Sequence, residues 1–162
     1  MKNNLSTTYS LFSLLEGTWR GEGRGSYPTI KSFDYRETLI FTYYDEKTLA
    51  YELHTQKRYD GETEWLKSHW QYGFIRILEN NELDLMNVQV GRTEVMIGSV
   101  SSLGNKIRIH FVSKAITGDP RMVSSARRFE LDGNTLRYEM EMQTTAVEQS
   151  TQHLKAELRR TK

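Results

Sequence analysis

Apolar and polar residues alternate with a period of two along most of this chain. Phe33, Tyr35, Leu39 and Phe41 share one side of a first extended segment, Leu83 and Leu85 mark a second, and Val95 and Ile97 a third. Ile107, Ile109 and Phe111 alternate with Arg108 and His110. Leu136, Tyr138, Met140 and Met142 alternate with Arg137, Glu139, Glu141 and Gln143, and near the end Leu154, Ala156 and Leu158 alternate with Lys155, Glu157 and Arg159. This period puts successive side chains on opposite faces of a strand. Turn residues punctuate the runs at Asp60-Gly61, Glu79-Asn80-Asn81, Gly104-Asn105 and Asp132-Gly133-Asn134. Leu11 to Glu16 reads as a single helical turn, and no long segment carries a helical period. The pattern predicts an all-β domain, a sandwich or a closed antiparallel β-barrel. Faces of mixed polarity suit a barrel with a partly polar lumen and a ligand cavity.

The segment Gly17 to Ile30, GTWRGEGRGSYPTI, sharpens this picture. Gly17, Gly21, Gly23 and Gly25 share their register with Trp19 and Tyr27. Glycines on one face of a strand mark close backbone approach, a bend, or a flat ligand lying against it. Spacing alone favours a barrel corner plugged by Trp19. The Gly21-Glu22-Gly23-Arg24-Gly25 run lacks the following helix that a phosphate-binding fingerprint requires.

With 162 residues the chain is long enough for one domain with a real core. Residues 1–10 are expected to form a flexible tail and residues 11–162 the barrel. The 22 basic and 21 acidic side chains nearly cancel, which argues against nucleic acid or a membrane surface as partner. The absence of cysteine excludes disulfides, thiolate catalysis and cysteine-ligated metal centres. The apolar run Leu11 to Leu15 is too short for a signal-peptide core or a membrane span, so the cytoplasm is the expected compartment.

Candidate chemistry is sparse. His54, His69, His110 and His153 form no pair at zinc-site spacing, and His54 and His110 carry no functional reading. No Gly-x-Ser-x-Gly elbow occurs. Glu139 and Glu141 lie on the polar side of an alternating strand and read as a solvated face. A heme needs one strong axial donor, an apolar slot and a polar rim for its propionates, which a single histidine in a cysteine-free barrel can meet. Spacing does not by itself choose which histidine.

The opening GTWRGEGRGSYPTIKSFDYRETLIF closely resembles that of the nitrobindin family of heme-binding β-barrels. SHWQYGFIR (Ser68 to Arg76), GRTEVMIG (Gly91 to Gly98) and QTTAVEQSTQHLKAELRR (Gln143 to Arg160) resemble further family blocks in the same order. The resemblance implies a barrel of about ten antiparallel strands, lipocalin- or fatty-acid-binding-protein-like. It implies one heme b per chain at the mouth, with His153 as axial iron ligand and Thr29 beside the porphyrin. His69 matches the distal histidine, placed to steer a bound anion without ligating iron. Ferric heme that binds nitric oxide and isomerises peroxynitrite to nitrate is the implied activity, in a monomer or homodimer. The other readings are a non-catalytic carrier of an apolar ligand and a nitric oxide sensor or carrier without turnover.

The chain departs from the family pattern in places. Gln71 stands where the family has a glutamate two residues after the distal histidine. Trp70 and Tyr72 flank it and are expected to narrow the pocket, and the Lys57 to Lys67 segment is longer and more charged than usual. Strict alternation puts His153 on the outward side with Lys155 and Glu157. A polar lumen or an irregular strand start would reverse the assignment, because a slip of one residue flips every side chain.

Overall fold

The computed structural model describes residues 11–27, 30–80, 82–147 and 149–161. The expected tail, residues 1–10, and Thr29 lie outside the described residues. The strands are β1 (Gly17–Tyr27), β2 (Ile30–Asp45), β3 (Thr48–Tyr59), β4 (Leu66–Ile77), β5 (Leu83–Gln89), β6 (Arg92–Leu103), β7 (Lys106–Thr117), β8 (Met122–Asp132), β9 (Thr135–Thr144) and β10 (Thr151–Thr161). Each pairs antiparallel with its sequence neighbour, and β1 pairs with β10 to close the barrel. Closure leaves no unpaired sheet edge.

Up-and-down order gives the two ends different roles. The connections β1–β2, β3–β4, β5–β6, β7–β8 and β9–β10 gather at one end, the mouth. The other end receives the helical turn of residues 11–15, which caps it with buried Leu11, Phe12 and Leu15. Gly17 turns the chain from this helix into β1 at φ 122°, a conformation that favours glycine. Trp19 is fully buried as the plug that its spacing predicted; its indole N–H donates to the Leu15 carbonyl at 2.8 Å, and the Arg160 guanidinium lies 4.4 Å from its ring.

The inward glycines of β1 are filled from the neighbouring strand. Gly23 stands opposite Tyr35 and Gly25 opposite Phe33. A methyl group on Gly25 would come within 2.3 Å of the Phe33 ring, and one on Gly23 within 2.4 Å of the Tyr35 ring. Gly73 opposite Tyr51 and Gly98 opposite Phe111 repeat the arrangement. A ring folded across a glycine restores the packing that the missing side chain gives up. Gly21 has a different reason: the Glu157 carbonyl of β10 would lie 2.0 Å from its Cβ. These glycines therefore make room for protein, and of β1 only Tyr27 lines the cavity at the mouth.

One face assignment reverses. On β6, Glu94, Met96 and Gly98 are buried, while Val95 is 38% exposed and Ile97 only partly covered. The outward valine and isoleucine had marked the apolar side. The true inward set contains a carboxylate that the lumen neutralises, so hydrophobicity pointed to the wrong face.

Candidate functional site

At the mouth a cavity of about 790 Å³ opens between the strands, within the ~300–1,000 Å³ usual for cofactor and small-molecule sites. Tyr27, Phe33, Met140, Met142, Val147 and Leu154 supply an apolar lining, to which Lys57 and Arg92 add cationic side chains and Arg121 an ion pair with Asp119 at 2.9 Å.

His153 enters this cavity through a bulge. The pairing of β10 with β9 shifts between Gln152 and Leu154, so His153 is the unpaired extra residue. It therefore points inward on the same side as Leu154 and Ala156, against strict alternation, and is only 3% exposed. Nδ1 lies 2.6 Å from the Thr151 carbonyl oxygen. A carbonyl only accepts, so Nδ1 carries the proton and donates it; the Nε2 lone pair faces the Thr151 hydroxyl at the long distance of 3.4 Å, a contact that a stronger ligand would displace. Burial lowers the pKa of His153, with the hydrogen bond to Thr151 acting the other way, so the ring is neutral at neutral pH. Tyr27 packs on the imidazole with ring centres 4.6 Å apart, and burial pushes its own pKa up to about 12.

His69 faces the same cavity from β4. The path β10–β1–β2–β3–β4 places it almost across the barrel from His153. Its backbone N–H donates to the Thr55 hydroxyl at 2.9 Å, and its ring is open to the cavity. Desolvation by the surrounding wall, then the charges of Arg92, Lys57 and Arg127, hold its pKa below the ordinary histidine value. At neutral pH His69 is a neutral donor rather than a cation.

Gln71 points inward beside His69 and accepts from Arg127 at 3.1 Å. Trp70 and Tyr72 do not narrow the pocket. Alternation puts both on the outer wall, 53% and 48% exposed, where they donate to Glu52 at 3.1 and 2.7 Å. Within the Lys57–Lys67 segment Lys57 reaches the cavity lining, while Trp65 packs outside under the Arg36 and Arg58 guanidinium groups at 4.0 and 4.6 Å. His54 pairs with Glu52 on that outer wall, and His110 is exposed. Glu139 and Glu141 make outer-wall ion pairs with Lys155 and Arg128.

Sequence reasoning missed the polar floor below the cavity. Glu94 accepts from Arg127 at 2.7 Å, Asn87 at 2.9 Å and Ser125 at 2.8 Å. Burial works against its charge, but Arg127 and Arg92 outweigh that and lower its pKa. The signal was present in Glu37, which shares the register of Phe33, Tyr35, Leu39 and Phe41 and is buried with them. A carboxyl on an apolar face of a strand marks either a paired charge or a functional group.

A closed barrel with one neutral, tautomer-fixed imidazole in an apolar, cation-rimmed cavity defines the class of single-histidine heme-binding β-barrels. The donor set fits that group: one buried imidazole whose Nε2 meets only the Thr151 hydroxyl at 3.4 Å, an apolar lining, and cationic side chains in the same lining that would meet propionates. The chain belongs to the THAP4-like, heme-binding β-barrel domain family, whose model matches residues 9–160. It is 33% identical to peroxynitrite isomerase 1 of Mycolicibacterium paratuberculosis, with 99% of each chain covered. It is 34% identical to the peroxynitrite isomerase of Nocardia farcinica, covering 90% of this chain and 86% of that one. The crystal structure of Rv2717c from M. tuberculosis superposes with a TM-score of 0.83 at 26% identity, covering 96% of this chain and 98% of that one.

Proposed function

We propose that the mouth holds one heme b on His153, and that the loaded protein isomerises peroxynitrite to nitrate and takes nitric oxide as a further ligand. The β10 bulge carries this reading. It spends the disruption of a ladder to bury one imidazole whose Nδ1 is already committed to Thr151. The full-length relatives named as peroxynitrite isomerases supply the reaction.

The group, when bound, would supply ferric iron chemistry toward a small anion or nitric oxide. The polypeptide does the rest. Thr151 holds the His153 ring in one tautomer and orientation. Lys57 and Arg92 bias the mouth toward anions, while Arg121 is balanced by Asp119. Neutral His69 presents an N–H donor to an anion without competing as a charged group. The apolar lining excludes water and strengthens both effects.

Hemin titration of the purified chain tests the reading. Wild type should give a histidine-ligated Soret band, His153→Ala only the spectrum of free hemin, and His153→Gly should regain the band on adding imidazole. Stopped-flow mixing of the loaded wild type with peroxynitrite should accelerate its decay with nitrate as product. A His153→Ala spectrum identical to wild type would reject the ligand. Normal heme binding with an unchanged decay rate would leave a heme carrier and reject the isomerase.

A further inference from the structure

Beneath the mouth the lumen narrows to a second chamber of about 40 Å³. Phe33, His69, Gln71, Met140 and Leu154 line both spaces and join them. Two buried polar atoms lack a hydrogen-bond partner among the described residues, Glu37 Oε1 and Arg127 Nε. Both residues line this chamber, and they are only 3% and 5% exposed.

The surrounding bonds say what the two atoms want. The Tyr35 hydroxyl donates to that of Tyr138 at 3.0 Å, and Tyr138 donates to Glu37 Oε2 at 2.6 Å. Burial raises the Glu37 pKa to about 8, against the opposing effects of Tyr138 and Arg127. At neutral pH the carboxyl is therefore protonated, and with Oε2 already accepting, its proton sits on Oε1. Arg127 commits its other nitrogens to Gln71 and Glu94. Two donors, one O–H and one N–H, are thus left without an acceptor.

Charge points the same way. Arg127 and Arg92 both pair with Glu94, at 2.7 and 3.4 Å, so two guanidinium groups share one carboxylate. Arg127 lines the chamber whereas Glu94 does not, and Arg92 lies at the mouth, so the cationic end of the Arg127–Glu94 pair faces the space while Glu37 is neutral. An anion accepts from both donors and meets that cationic end.

We propose that this chamber binds a small monovalent inorganic anion between the Glu37 carboxyl and the Arg127 guanidinium. At ~10–15 Å³ for each water-sized sphere, the space takes about three. That admits chloride, bromide, nitrite or nitrate and excludes gluconate. The site is a property of the polypeptide and does not rest on the reaction proposed above.

Glu37 also makes the site sensitive to pH. Tyr35 and Tyr138 beside it, and Tyr51 from β3, are held as phenols because burial raises their pKa values. Arg127 remains charged; burial opposes this, but its pairing with the Glu94 carboxylate helps to hold the charge. His69 is neutral, and Gly21, Ala156 and Leu158 are the nearby residues of β1 and β10. Glu37 is therefore the group that ionises near neutrality. Its carboxylate would repel the anion and lack the O–H that donates to it, so affinity should fall about tenfold per pH unit above its titration.

Crystals of the heme-loaded chain soaked in bromide at pH 6.5 should show an anomalous peak between Glu37 and Arg127. In solution at fixed ionic strength, chloride or nitrate should raise Tm over gluconate at pH 6.5. That difference should vanish at pH 9.5 in wild type and persist there in Glu37→Gln, whose amide donates but does not ionise. An unshifted Soret band separates the chamber from the iron. Ordered water alone in the chamber, bromide only on iron, or equal Tm in chloride and gluconate at pH 6.5 would each overturn the proposal. The wild-type measurements decide it even if Glu37→Gln does not fold.

Discussion

His69 and His153 are the same side chain put to different uses by their surroundings. His153 has its Nδ1 proton committed to Thr151 and its ring buried; His69 has an open ring and three cations near it. His69→Ala should therefore leave hemin affinity nearly unchanged. Loss of its hydrogen bond to a charged ligand, ~1.5–3 kcal/mol, should weaken nitrite or azide binding to ferric heme about tenfold or more. The pH dependence has a definite sign. The folded pKa is lowered, so the imidazolium forms only below the ordinary value of 6.5. Wild-type anion affinity should rise only as the pH falls below that value, and this limb should be missing from His69→Ala. Spectrophotometric titration between pH 5 and 8 checks it; total loss of heme in His69→Ala would instead make His69 a ligand. At this scale the family blocks located both histidines in the sequence. They did not reveal Glu37, Glu94 or Arg127: the register put Glu37 on an apolar face, but what an inward charge does is legible only once its partners on other strands are known.

Strands carry the fold through cross-strand pairs, and the glycine–aromatic pairs are the sharpest of these. Gly25 opposite Phe33 leaves no room for a side chain, since the ring lies within 2.3 Å of an added Cβ. Gly25→Val should destabilise the chain by about 1–3 kcal/mol through overpacking, and the Phe33→Ala background should relieve most of that cost by opening the space. Urea denaturation of the two single variants and the double variant measures the coupling; simple additivity would show that the ring and the glycine do not share the space. Alternation made most strand faces readable, as in β9, where Leu136, Tyr138, Met140 and Met142 are all buried as expected. It failed on β6, where Glu94 occupies the inward register and valine the outward one. It also could not decide β10, because a bulge is a local departure from the period that was being used to read the strand.

The whole molecule separates stability from ligand chemistry by putting them at opposite ends. Helix residues 11–15 and Trp19 seal one end, and the cavity with His153 opens at the other. The sealed end was legible because its signals are local: a short apolar run, a glycine and a tryptophan in sequence. The mouth was legible mainly through resemblance, since its wall is assembled from side chains on many strands. Trp19 and Tyr27 share β1 yet stand roughly 25 Å apart along an extended strand. Sites that far apart, with no shared partner, contribute almost additively. Trp19→Ala removes a fully buried indole and its bond to Leu15, so it should cost about 3–5 kcal/mol of stability. The variant's Tm should fall in both heme-free and heme-loaded forms by similar amounts, while its hemin affinity and Soret maximum at 20 °C stay within twofold and unshifted. A large loss of hemin affinity while the variant is still folded would mean that the plug and the mouth are coupled through the strands, and the two ends would then have to be treated as one cooperative unit.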